Sequence, residues 1–263
     1  MIRVPHSSMH EIVPLFSGVR DTAAASCLQG HMGDAWVDRL PDPTAGQIVT
    51  GDLCFFAGDG NTSGAAELAR HIPPGHRGPV LYMVPPDEDW SARIEEAHPD
   101  RHFRFYRYAF RRDTAFDRAL LGSFCRRLPA GYRSVPFDAP LYGAAMAESW
   151  SRDFCSQFES CEDYLRRGIG QGILCGDELV CGASSYTIYD GGIEIEVGTK
   201  EPHRRRGLAL ACAAGLILRC LDRGLYPNWD AANLQSVALA EKLGYRQEEP
   251  YFTYEITRPI TGG

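Results

Sequence analysis

The chain has 263 residues, of which 44% are hydrophobic and 23% charged, a composition typical of globular proteins and not of disordered or fibrous ones. Its length corresponds to one large domain or two modest ones. The formal net charge of -7 argues against a general nucleic-acid-binding protein, so any site for an anionic ligand has to be a local feature.

The sequence carries no pattern typical of a membrane span or a secretion signal. The longest apolar run, residues 207–218, is shorter than the roughly 20 residues that cross a bilayer. His6, His10 and Pro14 interrupt the region where a signal peptide needs an apolar core. The nine cysteines form no C-x-x-C pair, which favours reduced thiols over disulfides or structural zinc. We therefore expect a cytoplasmic protein with no metal ion and no membrane contact.

The first part of the chain alternates apolar runs with helix-like segments, which predicts a small α/β domain. A sequence with two prolines and a glycine, RLPAGYRSVPFDA at residues 127–139, indicates a boundary. We therefore predict an N-terminal α/β domain of unknown role over residues 1–130 and a second domain over residues 131–263. In the first domain, the predicted strands are 47–57, 80–84 and 103–110, and the predicted helices are 65–70, 90–97 and 116–126.

The second domain is predicted to be a mixed, largely antiparallel sheet flanked by helices. Short glycine-containing turns at residues 176–178 and 190–192 are typical of hairpins, so three successive strands are predicted to be antiparallel. The predicted strands are 132–137, 171–174, 179–189, 193–199, 226–230 and 251–256, and the predicted helices are 141–149, 161–167, 206–223 and 236–243.

A basic turn joins a strand directly to an apolar helix at residues 193–209, IEIEVGTKEPHRRRGLA. The first turn of a helix has backbone N–H groups without intrahelical partners, and these bind anions together with the helix dipole. Arg204, Arg205 and Arg206 add positive charge, and Gly207 permits close approach of a phosphate to the backbone. Taken alone, the same residues also fit a solvated basic surface beside an ordinary helix start.

The surrounding sequence resembles the GNAT superfamily of acyl-CoA-dependent N-acetyltransferases. Arg204, Gly207 and Ala209 match its motif of Arg or Gln, two residues, Gly, one residue, and Gly or Ala. The segment NWDAAN followed by SVALAEKLGY is similar to the second hallmark of the superfamily, an Asn before a helix that ends in a K-x-G-aromatic pattern. The resemblance covers residues 128–256 and is greatest to the branch that includes the zwittermicin A resistance acetyltransferase, which has an extra N-terminal domain.

The resemblance implies acetyl-CoA as co-substrate. It implies that backbone amides of the basic turn bind the pyrophosphate, that the preceding strand pairs with the pantetheine arm, and that Asn233 holds this arm from the other side. It also implies that a backbone N–H near Val197 polarises the thioester carbonyl. The cofactor-binding residues implied in this way are Val197, Thr199, Arg204, Arg205, Arg206, Gly207, Leu208, Ala209, Asn233 and Ser236.

The attacking amine has to lose a proton, and two carboxylates are placed to accept it. Glu194 and Glu196 lie two residues apart on a strand and share one face, so they could act as a general base through water. The alternative is that both are simply solvated. Many members of the superfamily have a tyrosine seven residues after the Asn as general acid, but this chain has Ala240 there. Tyr245, Tyr186 or Ser236 could replace it, or the thiolate could leave without an acid.

The sequence therefore predicts transfer of an acetyl group from acetyl-CoA to an amine of a small molecule, by direct attack in a ternary complex. The catalytic candidates are Glu194, Glu196 and Tyr245. Trp150 and Phe154 could close over the acceptor, with core packing as the alternative. A second hypothesis is a catalytically silent acyl-CoA-binding protein with a regulatory or scaffolding role. The partners expected are a small-molecule amine but neither nucleic acid nor membrane, and the oligomeric state is left open.

Overall fold

The computed structural model describes residues 1–76 and 78–257, which form two compact units. Residues 1–107 and the chain from residue 250 make up the first unit, and residues 108–249 make up the second. The compact units therefore divide the chain at a different place from the boundary near residue 130. The assignment of an N-terminal domain of unknown role to residues 1–130 stays a prediction.

The first unit is a mixed sheet with helices on it. Its strands lie in the order β1-β2-β3-β4-β5-β13-β6, and β4 and β5 are parallel while the other neighbours are antiparallel. The elements are β1 (Ile2–Arg3), α1 (Met9–Ile12), α2 (Thr22–Leu28), β2 (Asp34–Val37), β3 (Ala45–Thr50), β4 (Leu53–Gly58), α3 (Ser63–Arg70), β5 (Val80–Val84), α4 (Glu88–Ala97), β6 (His102–Ala109) and β13 (Tyr251–Thr257).

The core of this unit lies between the sheet and the helices α3 and α4. Trp90 is fully buried and stacks on Phe56 with ring centroids 4.6 Å apart, and Met83 and Tyr254 are buried in the same cluster. Each helix begins at a side-chain cap, since Thr62 accepts from the N–H of Ala65 and Asp87 from that of Trp90. The apolar faces of two capped helices thus cover the alternating apolar positions of the strands.

Two sequence-based expectations for this unit are wrong. Residues 47–57 are a hairpin of β3 and β4 and not a single strand, because Gly51, with φ of 64°, turns the chain back within the apolar run. The sequence places the final strand β13 in the second domain, but it pairs with β5 and β6 of the first unit. Its alternation of buried positions specifies a strand but not the sheet that it joins.

The second unit is built on a sheet with strand order β11-β10-β9-β8-β7. Neighbouring strands are antiparallel except β10 and β11, which are parallel. Residues 108 and 109, at the end of β6, pair with β12. The elements are α5 (Arg118–Arg126), β7 (Tyr132–Pro136), α6 (Ala139–Ala147), α7 (Cys161–Arg167), β8 (Gly170–Cys175), β9 (Glu178–Tyr189), β10 (Gly192–Thr199), α8 (Leu208–Asp222), β11 (Tyr226–Asn228), β12 (Asp230–Ala231) and α9 (Leu234–Leu243).

The apolar helix α8 is the central helix of this unit. Its buried residues include Leu208, Cys212, Leu216 and Cys220, and it packs against β8, β9 and β10 and against α5 and α9. The predicted α/β architecture with a mixed, largely antiparallel sheet is thereby confirmed. In the chain, α8 follows β10 after a loop of residues 200–207, and this packing fixes the position of its N-terminus.

Candidate active site

A fork in the sheet lies next to the N-terminus of α8. Pairing of β10 with β11 ends at Glu194 and Asn228, whereas pairing of β10 with β9 continues to Thr199. Among the described residues, no strand pairs with the β11-facing edge of β10 beyond Glu194. The backbone of this stretch, which includes Val197, is therefore available to a ligand that extends the sheet.

Among the α-helices of seven or more residues in the described part of the chain, α8 alone begins without a side-chain cap. Its cap is Gly207, in the left-handed region with φ of 79°, and no side chain caps it. The first hydrogen bond of the helix runs from Ala211 N–H to Gly207 O, so the N–H groups of Leu208 and Ala209 precede it. Such amides bind anions. The other helices of seven or more residues have a side-chain cap, and these caps are Asp21, Thr62, Asp87, Asp117, Asp138, Ser160 and Asn233.

The three consecutive arginines lie exposed on this turn, and two of them are held by hydrogen bonds. Arg204 Nε donates to the carbonyl of Thr199 at 3.1 Å, which ties the turn to the end of β10. Arg206 donates to the hydroxyl of Tyr132 at 3.2 Å. Arg205 has φ of 59°, so left-handed residues at 205 and 207 alternate along the turn. The turn is a fixed cationic loop on a chain of negative net charge.

The two predicted carboxylates have different surroundings. Glu194 is 6% exposed and its Oε2 accepts a 2.6 Å hydrogen bond from Asn228 Nδ2. Glu196 lies beyond the last pair of β10 and β11 and is partly exposed. The register of β9 shifts by one residue opposite Glu194, with Tyr186 as the extra residue. The structure thus places one carboxylate in the paired part of the fork and the other in its open part.

Comparison with known proteins decides the family of this chain. A family model described as GNAT acetyltransferase matches residues 13–254, most of the chain. The chain belongs to the GNAT acetyltransferase family. It is 40% identical to a GCN5-related N-acetyltransferase-like protein from Streptococcus suis 89/1591, with a TM-score of 0.88 over 95% of this chain and 98% of the other.

One further solved structure shares the fold at low identity, and one further protein matches over part of its length. A GCN5-related N-acetyltransferase from Kribbella flavida has the same fold, with a TM-score of 0.58 at 17% identity over 92% of this chain and 95% of the other. The uncharacterized N-acetyltransferase YdfB of Bacillus subtilis strain 168 is 31% identical over 99 residues. This match spans 37% of the present chain and 38% of YdfB.

The segment that resembles the second hallmark of the GNAT superfamily forms the start of helix α9. Asn233 caps α9 by accepting from the N–H of Ser236 at 2.9 Å. The hydroxyl of Ser236 accepts from Trp229 Nε1 at 3.0 Å. Both side chains therefore have structural contacts at the start of α9, and their roles in holding a cofactor stay predictions.

The candidate general acid Tyr245 lies in the core of the second unit. It is 3% exposed, and its hydroxyl donates to the carbonyl of Pro227 on β11 at 2.5 Å. Burial raises the pKa of Tyr245 well above its ordinary value, so the hydroxyl keeps its proton around neutral pH. Ala240 is fully buried. The geometry gives Tyr245 a contact that holds β11, and its catalytic role stays a prediction.

Phe154 packs on the sheet near the open part of the fork, and Trp150 packs against Phe154. Phe154 is buried against Gly182 and Gly198, which face each other across β9 and β10, and an added Cβ at Gly182 would lie 2.4 Å from its ring. Trp150 packs edge-on against Phe154 and donates from Nε1 to Glu148. Lys200, at the end of β10, forms ion pairs with Glu148 and with Glu178. The carboxylates raise the pKa of Lys200, so it stays charged.

Several contacts at this site have no local sequence signal. Tyr132 reaches Arg206 from 74 positions away, and its hydroxyl also contacts His203 Nδ1 at 3.0 Å. Asn228 contacts Glu194 from 34 positions away. The missed residues come from β7 and β11, and only the sheet order brings them to β10 and the loop after it. The predicted strand at residues 226–230 contains Asn228 but does not indicate its partner.

In the described part of the chain, no three His, Cys, Asp or Glu side chains come together as a metal site requires. No helix within it is long and apolar enough to cross a membrane. The nine cysteines are free thiols, and most are buried.

Proposed function

We propose that this GNAT protein is an acyl-CoA-dependent N-acetyltransferase that moves an acetyl group from acetyl-CoA to a primary amine of a small molecule. The observation that carries the proposal is the sequence of elements in one unit. The fork between β10 and β11 is followed directly by a cationic loop and by a helix whose first amides have no side-chain cap. Such an arrangement provides one surface for an extended amide-containing arm and a second for its phosphates.

The cofactor residues divide into two groups. The backbone amides from Arg205 to Ala209 would hold the pyrophosphate, with the charges of the three arginines around them. The backbone N–H of Arg204 donates to the carbonyl of Glu201 at 3.2 Å, so Arg204 would contribute its charge and not its amide. The backbone of Val197 and Thr199 would pair with the pantetheine arm along the open edge of β10, and Asn233 and Ser236 would lie on its other side. Acetyl-CoA supplies the acetyl thioester when bound. A backbone N–H near Val197 would donate to the thioester oxygen, where charge develops during attack.

The chain's own groups would also handle the protons. One of the carboxylates Glu194 and Glu196 would accept the proton of the amine, directly or through water. A thiol has a pKa near 8.5, so the departing thiolate needs only electrostatic help. No covalent intermediate with the enzyme is required, and positioning of the amine beside the thioester would supply much of the acceleration.

We further propose a cytoplasmic location, supported by the free state of the nine cysteines, and a relationship to the zwittermicin A resistance branch, supported by the sequence segments that suggested it. The first unit has no role in this scheme. A catalytically silent acyl-CoA-binding protein is the second candidate, and the observation that favours it is the buried Ala240 at the usual tyrosine position.

The experiment that tests the function is an assay of thiol release from acetyl-CoA in the presence of a panel of primary amines, with product mass as confirmation. We expect release to depend on at least one amine and the product to be heavier by one acetyl group. Saturable binding of acetyl-CoA without product from any amine would favour the silent protein. Absence of both binding and release would contradict the proposal.

A further inference from the structure

Side-chain hydrogen bonds add to the backbone pairing with β10 that holds the short strand β11. It has three residues, Tyr226, Pro227 and Asn228, and proline has no N–H to donate. Each of the three receives or gives a side-chain hydrogen bond. The hydroxyl of Tyr189 donates to Tyr226 O at 3.4 Å, that of Tyr245 donates to Pro227 O at 2.5 Å, and Asn228 donates to Glu194 at 2.6 Å.

The bond from Asn228 to Glu194 differs from the other two because it joins cross-strand partners at the point of divergence. Glu194 and Asn228 are the last aligned pair of β10 and β11. Both residues are buried, with 6% and 9% exposure, so the bond is shielded from water. A short hydrogen bond to a buried carboxylate is among the stronger polar contacts in a protein.

We propose that Glu194 and Asn228 form a clip that fixes where β10 and β11 diverge, and that Glu194 is a positioning residue of the site. This inference rests on the proposed function, because the positioning role requires that the acyl-CoA arm lies in the fork. Together with the pairing of β10 with β9, a register fixed at this pair sets the position of the backbone N–H groups from Ile195 to Thr199 relative to β11. Displacement of such a donor by about 1 Å is enough to reduce turnover strongly.

The clip also separates the roles of the two glutamates. Glu194 is turned into the buried contact with Asn228, whereas Glu196 is the next residue on the same face and lies in the open part of the fork. Glu196 is thereby left as the proton acceptor.

Amide hydrogen exchange of the whole chain, followed by mass spectrometry without any ligand, tests the clip. Asn228→Asp replaces the donor by a second carboxylate, and Asn228→Ala removes it. In both variants we expect exchange in residues 225–231 to become about tenfold faster, the effect of losing one charged hydrogen bond. Exchange in residues 211–220 of α8 should stay unchanged, which reports that the unit is still folded.

A rescue experiment separates the clip from general damage at this position. In the double variant Glu194→Gln with Asn228→Asp, the polarity of the pair is reversed and the amide donates to the carboxylate. Exchange in residues 225–231 should return to within about threefold of the wild type. Glu194→Gln should not rescue Asn228→Ala. Wild-type exchange in Asn228→Asp, or equal exchange in Asn228→Asp and the double variant, would overturn the clip.

Addition of acetyl-CoA to the same samples tests the link to function. We expect acetyl-CoA to slow exchange in residues 195–199 of the wild type and the double variant and to have a weaker effect in Asn228→Asp. Equal protection in Asn228→Asp would overturn the positioning role. Absence of protection in the wild type would contradict the proposed cofactor site, while the ligand-free exchange would still decide the clip.

Discussion

At the residue scale, the features that distinguish the candidate site are conformations that sequence patterns rarely specify. Gly207 and Arg205 both lie in the left-handed region, and for the non-glycine residue this costs about 1 kcal/mol or more. The glycine was predictable from the R-x-x-G-x-A pattern. The conformation of Arg205 and the contact of Arg206 with Tyr132 were not, because both depend on the path of a loop across the sheet.

Substitution of the two glutamates separates their roles in turnover. Glu196→Gln removes the proposed proton acceptor, so we expect kcat to fall by about 10²-fold or more, with the affinity for acetyl-CoA unchanged. Glu194→Gln keeps an acceptor oxygen for Asn228, so kcat should fall by no more than about tenfold. Steady-state kinetics with the amine found in the thiol-release panel measures both. A larger loss in Glu194→Gln than in Glu196→Gln would assign the proton transfer to Glu194.

At the element scale, the structure follows the sequence where glycine, caps and apolar periodicity agree. The predicted helix at residues 161–167 coincides with α7, and the predicted strands of the β8-β9-β10 meander differ from the observed ones by one residue or so at each end. Between residues 1 and 44, β1, α1, α2 and β2 were missed because they are short and carry little periodicity. For the hairpin of β3 and β4 the sequence predicts a single strand, because the turn lies inside an apolar run.

The pair of facing glycines in β9 and β10 makes a prediction about packing. Gly182→Ala would place a Cβ 2.4 Å from the buried ring of Phe154, so we expect a loss of about 1–3 kcal/mol in the free energy of unfolding. Gly143→Ala is the control, because Gly143 lies in α6 with open space around it and should gain about 0.5–1 kcal/mol. Chemical denaturation of the two variants measures both. Equal stabilities would contradict the packing role of Gly182.

At the scale of the whole molecule, the chain returns to its first unit after completing the second. The strand β13 pairs on both sides, with β5 and with β6, and its Tyr254 is fully buried. The sequence predicts this strand but not its sheet, because pairing between residues 144 to 177 positions apart has no local signature. The GNAT family model extends over both units, from residue 13 to residue 254, so the fold of the family includes the first unit as well.

The assignment of the site to the second unit predicts which mutations leave it intact. Met83→Ala creates a cavity in the core of the first unit and should reduce the free energy of unfolding by about 2–5 kcal/mol. Because the residues of the proposed site belong to residues 108–249, the dissociation constant for acetyl-CoA should stay within about twofold of the wild type. Denaturation and calorimetry at a temperature where the variant is folded test this. Loss of acetyl-CoA binding by the folded variant would show that the first unit contributes to the site.

The measurement that tests the central claim most directly is calorimetric titration of acetyl-CoA into the wild type, Gly207→Leu and Gly224→Leu. Both glycines flank α8, are left-handed with φ of 79° and 69°, and have no atom within 4 Å of an added Cβ, so the two variants carry the same backbone strain. We predict micromolar binding by the wild type, an affinity within about twofold of it for Gly224→Leu, and a loss of at least about 100-fold for Gly207→Leu. Equal affinity of the two variants would contradict a phosphate site at the N-terminus of α8.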